Sequence, residues 1–426
     1  MRQFARTPLA VATAVAAATL LAACGSGFDD SDDGGGGEPS EASGGDTGEP
    51  ASLTVMIGSS GEAETVAVQE ATTRWAEETG NEVEVIPAQD LVQQLQQGLA
   101  GGNPPDLFYV SPDRFRMLAE GGSLYPYGDQ IEDADDIYQS LRDAFTYEGE
   151  LYCAPKDGGV HALVIDTAAW TAAGLTEADY PQDWDQLATA AQALTADGRV
   201  GLAFTGDYNP VGTFMLAGGG FFVNDDQTEV TADTPENLAT LQYLQQNMDA
   251  GSFAFAPNID AAWGGEALGS GKSAMTIEGA WIVGALQNDF PDRQWTAVPM
   301  PAGPGGQGST AFTNCWGIAQ DSENQAAAVD LVNFLIAPEE QQAFAEAFGP
   351  IPSRASLADW NAETFPEKAA FAEGMDSARS QVAVPGFESV LADFNTQLEG
   401  MAAGTVTPEQ ALQALQTNGE AVLAQE

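Results

Sequence analysis

From residue 51 to the C-terminus, short strand-like apolar runs alternate with helical patterns. That order of periods restricts the chain to α/β architectures. Leu53, Val55 and Ile57 alternate as a strand. Gly61 to Thr79 then places Val68, Ala71 and Trp75 at helical spacing and stops at Gly80. Val83 and Val85 give the next strand, and Leu91, Leu95 and Leu99 a second helix that ends at Gly101-Gly102. Leu107 to Val110 is a short buried strand, followed by a helix around Phe115 to Glu120. The alternation continues with Val160 to Ile165 as a strand and with Trp184, Leu187, Ala191 and Leu194 along one helix face. Thr234-Pro235 and Thr407-Pro408 each offer an N-cap followed by proline at the first helical position, and so predict helix starts. No internal repeat of 20 to 50 residues is present, which excludes solenoids and propellers.

At 426 residues, 44% of them apolar, the chain can bury two ordinary cores. Its N-terminus is of another kind. Arg2 and Arg6 precede an apolar stretch, Leu9 to Ala23, which is short for a bilayer span and ends in Leu21-Ala22-Ala23-Cys24. This resembles a bacterial lipoprotein signal, residues 1–23, with Cys24 the lipidated first residue of the mature protein. Residues 24–50 hold Gly, Ser, Asp, Glu and Pro with almost nothing apolar, a composition that cannot offset its own ordering entropy, and are expected to form a flexible acidic tether. The body then sits outside the cytoplasmic membrane, in an oxidising compartment where Cys153 and Cys315 are able to bond.

Thirteen Lys+Arg against 63 Asp+Glu give a net charge of −50. Nucleic acid is thereby excluded as a partner, because phosphate binding needs clustered cations. Contact with an anionic membrane is expected through the lipid anchor only. The acidity is read as a source of solubility.

Chemistry motifs are missing. The single histidine, His161, lies in a strand pattern and is expected to be structural. No His/Cys cluster has zinc spacing, and neither a phosphate-binding loop nor a nucleophile elbow occurs, so no cofactor, metal or catalysis is expected. Gly218-Gly219-Gly220 is read as a tight turn. With 63 acidic residues, a pair of neighbouring carboxylates is no evidence for a glycosidase.

Several stretches resemble a known family in order and spacing. Gly102 to Tyr127, GNPPDLFYVSPDRFRMLAEGGSLYPY, is similar to the Gly-x-x-Pro-Asp, strand, Leu-Ala-x-x-Gly-x-Leu segment of family 1 extracellular solute-binding proteins, the maltose-binding-protein-like carbohydrate subunits of ABC importers. Gly149 to Trp170 resembles the family's Gly-x-Leu-Tyr-x-x-Pro crossover, and Gly271 to Trp281, GKSAMTIEGAW, its Gly-Lys-x-Ala-Met-x-x-x-Gly-x-Trp signature. Asn324 to Arg354 resembles its helix pair with the closing Gly-x-x-Pro-x-Arg.

The resemblance implies a type II periplasmic-binding-protein-like fold: two discontinuous α/β lobes joined by crossover hinge strands, residues 51–156 with 316–352 and 160–312 with 356–426. It implies a monomer that closes about its hinge on a carbohydrate and hands it to ABC permease transmembrane subunits. A pyranose offers C–H faces to aromatic rings and hydroxyls to Asp, Asn, Glu, Arg or Lys. Trp281 falls on the stacking tryptophan of the signature, and Asp113 and Arg114 on an Asp-Arg pair that holds sugar hydroxyls after a strand's carboxyl end. Asp157, Asn314 and Trp316 are expected at the hinge and cleft floor, and Tyr208, Asn209, Phe214 and Phe387 on the opposite wall. Val110 stands where the family has a further stacking tryptophan, which argues against maltodextrin. Cys153 and Cys315 fall beside the paired crossover strands and are expected to form a disulfide. Other solutes, a secreted carbohydrate-active hydrolase and a surface adhesin are the competing readings.

Overall fold

The computed structural model describes residues 50–425; Cys24, the signal and most of the tether lie outside them. Two five-stranded sheets carry the architecture. In the first the strand order is Glu82–Pro87, Ser52–Ile57, Leu107–Val110, Cys315–Ile318, Ala154–Pro155. The first three strands are parallel, and Cys315–Ile318 runs antiparallel to both of its neighbours. Leu53, Val55 and Ile57 are fully buried, as their alternation requires.

The helix Glu62–Thr79 buries Val68, Ala71 and Trp75 and ends at Gly80, whose φ of 78° only glycine adopts without strain. The Trp75 indole N–H donates to Asp330 at 2.7 Å, which ties this helix to the helix Gln325–Leu335. Burial of the ring and satisfaction of its one donor are thus achieved together.

The second sheet has the order Trp295–Pro299, Ala162–Asp166, Ser273–Glu278, Val200–Phe204, Phe253–Phe255. Thr234 and Thr407 cap their helices as the sequence predicts. Thr234 accepts from the Asn237 N–H, and Thr407 forms a capping box with Gln410. The glycine run ends a helix, Tyr208–Gly218, where Gly219 takes a left-handed turn (φ 93°).

Three passes of chain join the sheets. Residues 156–161 lead out of the first sheet, and Ser309–Ala311 leads back to Cys315. Ala378–Ser380 pairs in parallel with Ser309–Ala311 before the two C-terminal helices, Phe387–Ala402 and Pro408–Leu423. Every strand of the second sheet lies between Ala154–Pro155 and Cys315–Ile318, so these two strands form the neck from which that lobe is inserted. Cys153 and Cys315 are disulfide-bonded across this neck, with Cα atoms 5.7 Å apart. Among the described residues no helix is long and apolar enough to cross a membrane.

Candidate functional site

Polar side chains gather beside the crossings and at the ends of the strands that adjoin them. In the first lobe Pro112–Glu120 begins directly after the strand Leu107–Val110. The Ser111 hydroxyl donates to the Asp113 carboxylate, and Arg114 Nε lies 3.4 Å from that carboxylate. Both side chains are partly open to solvent, and Arg114 Nε has no hydrogen-bond acceptor. A positioned acid and a guanidinium with a donor to spare therefore stand side by side after the strand end.

Below them, Glu64 is buried at the start of the helix Glu62–Thr79. Its carboxylate accepts from the Ser60 N–H and hydroxyl at 2.7 Å and from the Tyr109 hydroxyl at 2.9 Å. Lys156, on the outgoing crossing, lies 3.3 Å from Glu64, pairs with Asp157 and sits 4.7 Å from the Tyr109 ring centroid. Burial alone would pull the lysine's pKa down, but the carboxylates of Asp157 and Glu64 outweigh it and hold the ammonium above its ordinary value. Burial likewise pushes Glu64 up, and Lys156 with the Ser60 and Tyr109 hydrogen bonds brings it below the usual range. The cluster is an internal ion pair at the root of the hinge, completed by the partly exposed Asp157.

On the returning crossing, half-buried Asn314 accepts the Lys156 N–H through its carbonyl at 2.8 Å, and Thr313 donates to the Asp157 carbonyl at 2.6 Å. Phe312 packs between His161 and Trp281, with ring centroids 4.7 and 5.1 Å away. His161 is buried, with Nδ1 2.8 Å from the Thr213 hydroxyl, and burial lowers its pKa to about 3. It remains neutral and structural.

Trp281 opens the helix Trp281–Asp289 in the second lobe. It is 50% exposed, the one exposed aromatic among the described residues. Its Nε1–H donates to Glu278 Oε2 at 2.8 Å. Glu278, 4% exposed, ends the strand Ser273–Glu278 and also accepts from Thr205 at 3.3 Å. Burial lifts its pKa to about 7 against those hydrogen bonds, with Asp207 adding to the rise.

Asp207 caps the helix Tyr208–Gly218 by accepting the Asn209 N–H at 3.0 Å. Half-buried Tyr208 and Asn209 are fixed in turn, the Tyr208 N–H by donating to Asn395 Oδ1 at 2.8 Å and the Asn209 side-chain Oδ1 by accepting from Gln381 Nε2 at 3.0 Å. Burial pushes the Tyr208 phenol up, and the charges of Asp207, Asp113 and Glu388 push it further. Asp113 of one lobe is thus close enough to Tyr208 of the other to act on it.

Asp113, Arg114, Asp157, Asn314, Trp281, Tyr208 and Asn209 all lie around the crossings with some exposure. Three expectations are corrected. Phe214 is fully buried between Trp184 and Phe204, at 5.6 and 5.7 Å, because the apolar face of its helix covers the second sheet. Phe387 is 1% exposed in the core beneath the C-terminal helices, against Gly419. Trp316 is also 1% exposed, because the strand Cys315–Ile318 turns it inward onto Tyr109 at 4.8 Å. None of the three offers a ring face to a ligand. Sequence reasoning missed Glu278, Phe312, Glu64 and Lys156. Only Glu278 carried a signal, as the one charge in an otherwise buried strand.

A separate groove of about 1140 Å³ is lined by Phe115, Arg116 and Tyr147 from the first lobe and by Phe221, Asn224 and Arg379 from the second. None of the expected ligand residues lines it. Arg379 lies 4.6 Å over the Phe221 ring, 3.3 Å from Asp225.

A family model described as bacterial extracellular solute-binding protein matches residues 70–373. The chain belongs to that family. This solute-binding protein is 26% identical over 287 residues to a lactose-binding protein of Rhizobium radiobacter, covering 64% of this chain and 67% of the relative. Its fold is similar to that of the cyclic alpha-maltosyl-1,6-maltose binding protein from Arthrobacter globiformis, with a TM-score of 0.78, 20% identity and coverage of 89% of this chain and 100% of the other. It is also similar to UgpB from Mycobacterium tuberculosis in complex with glycerophosphocholine, with a TM-score of 0.74, 18% identity and coverage of 88% and 99%. The fold is the type II periplasmic-binding-protein fold, and the family's place is outside the cytoplasm.

Proposed function

We propose that this protein captures a carbohydrate in the cleft between its lobes and delivers it to the transmembrane subunits of an ABC importer. One observation carries the reading. An indole ring lies half open against the crossings, and Asp113 of the first lobe, with Arg114 beside it, is near enough to Tyr208 of the second to act on its phenol. A pyranose needs this combination, an apolar face to stack on and oriented carboxylate, guanidinium and phenol groups for its hydroxyls. The lactose-binding relative supports the sugar class.

In this reading Trp281 stacks on the sugar and Asp113, Arg114, Asp157, Asn314, Tyr208 and Asn209 bind hydroxyls. The lobes comprise residues 51–156 with 316–352 and 160–312 with 356–426, a division supported by which strands share a sheet. The protein acts as a monomer without catalysis, held to the outer face of the membrane by lipid on Cys24. The test is a thermal-shift screen of the purified protein with lactose, maltotriose, arabino-oligosaccharides, glycerophosphocholine, amino acids and polyols. A ligand that binds only the folded chain raises its melting temperature. A shift with one sugar that is not consumed supports the reading. A response confined to a non-sugar solute, or steady consumption of the sugar, overturns it.

A further inference from the structure

The signature segment GKSAMTIEGAW places an acid three residues before its tryptophan, and the structure gives that acid a specific setting. Glu278 is the last residue of Ser273–Glu278, which runs parallel to Val200–Phe204 with Met275 opposite Leu202. Continuing that register puts Glu278 beside Thr205, whose hydroxyl donates to Oε1 at 3.3 Å. The Gly264 N–H, at the start of a third element, donates to the same Thr205 hydroxyl at 3.4 Å, which orients it towards the carboxylate. A Cβ on Gly264 would lie 2.6 Å from Oε1, so the residue facing the acid has no side chain. The other oxygen, Oε2, accepts the Trp281 indole N–H at 2.8 Å.

The ring is held at further points. A Cβ on Gly279 would lie 2.1 Å from the Trp281 ring, so the indole folds back over a position that must be bare. Phe312 meets it edge-on at 5.1 Å, and His161 does so at 6.0 Å. An exposed tryptophan at a helix start would ordinarily rotate about both side-chain torsions. This one has its single donor anchored to a buried acid and two rings packed near-perpendicular to it, and it is still 50% exposed.

We propose that Glu278 is a positioning residue for the ligand platform: its buried carboxylate fixes the Trp281 ring in the orientation that receives the ligand, without itself touching the ligand. The inference rests on the reading of Trp281 as the stacking residue. A fixed ring spares the ligand the ordering of a mobile side chain on binding. Glu278 therefore acts on affinity through Trp281 alone, and its effect vanishes when Trp281 is absent.

Two measurements on the full chain test this. In the ligand-free protein, the fluorescence of Trp281 is isolated as the difference between wild type and Trp281→Phe. Its anisotropy and acrylamide quenching are then followed in Glu278→Leu, Glu278→Gln and Thr205→Val backgrounds. The leucine variant is expected to lower the anisotropy and raise the quenching of that difference signal. Glutamine, whose carbonyl oxygen still accepts the indole N–H, is expected to restore both. An unchanged difference signal in the leucine variant overturns the proposal, whatever ligand the protein takes.

With lactose and maltotriose as probes, the leucine variant is expected to bind roughly 3- to 10-fold more weakly, and glutamine to recover most of that loss. Wild-type affinity in the leucine variant, combined with loss in Trp281→Ala, overturns positioning while leaving the sugar reading intact. Unchanged affinity in Trp281→Ala overturns the sugar-stacking role itself. Should Glu278→Leu fail to fold, Thr205→Val loosens the carboxylate while leaving its charge. Wild-type fluorescence in Thr205→Val then counts against the proposal.

Discussion

The residue that most concentrates the chemistry of this chain is Trp281, because it is exposed while every other aromatic among the described residues is buried or half-buried. Replacing it by alanine removes a stacking face, and the affinity for the sugar is expected to fall by roughly 1–3 kcal/mol, about 5- to 150-fold, with the fold intact by circular dichroism. Its partner Glu278 yields a prediction that needs no ligand. Burial holds this carboxyl near pKa 7, against 4.5 for an ordinary glutamate. A raised acid stabilises the folded state fully only below its unfolded pKa, and that stability is lost as the pH rises through the folded value. Glu278→Gln abolishes this loss. Between pH 5 and 8 the stability of the glutamine variant relative to wild type is expected to grow by about 2–3 kcal/mol, measured by urea unfolding at each pH. A parallel pair of pH profiles would show that Glu278 does not titrate in this range. The candidate site was legible at positions where a short motif fixes local geometry, such as Asp113-Arg114 after a strand and Trp281 after Gly279. It was illegible where the direction of a side chain depends on tertiary packing. Phe214, Phe387 and Trp316 have the composition of a sugar platform and the burial of a core.

At the scale of elements, the alternation of strand and helix periods was legible because short apolar strands and amphipathic helices carry different periods, and capping threonines mark two helix starts, at Thr234 and Thr407. The crossings were harder to read. Residues 156–159 and 312–314 carry no period, and their role appears only when two sheets share them. Lys156 illustrates this. In sequence it is one of 13 cations, while in the fold it is buried between Glu64 and Asp157 at the root of the hinge. A buried pair contributes little net stability when intact, but removing one partner leaves an uncompensated charge. Lys156→Met is therefore expected to destabilise the protein by about 3–5 kcal/mol. The double variant Lys156→Met with Glu64→Gln is expected to recover part of that loss. Equal destabilisation by the single and double variants in urea titrations would mean that Glu64 is not the lysine's principal partner.

For the molecule as a whole, the topology places one covalent bond where two lobes could otherwise separate. The Cys153–Cys315 disulfide closes a segment with a sequence separation of 162, and that segment contains every strand of the second sheet. In the chain-entropy account a loop of this size restricts the unfolded ensemble by roughly 5 kcal/mol, and native bridges commonly deliver 2–5. The double variant Cys153→Ala, Cys315→Ala is expected to lose about that amount and to keep its ligand, since neither sulfur lies among the groups around Trp281. Opposing this staple is a net charge of −50. Acids outnumber basic side chains 63 to 13 over the whole sequence, and the folded body holds its share of them closer together than the unfolded chain does. Self-repulsion of this kind is screened within about 10 Å at 0.1 M salt and about 3 Å at 1 M. The melting temperature is accordingly expected to rise with sodium chloride from 0.01 to 1 M, and to do so in the disulfide-free variant as well, because screening acts on the compact state and the bridge on the unfolded one. A melting temperature indifferent to salt would mean that the acids are spaced widely enough for water alone to shield them.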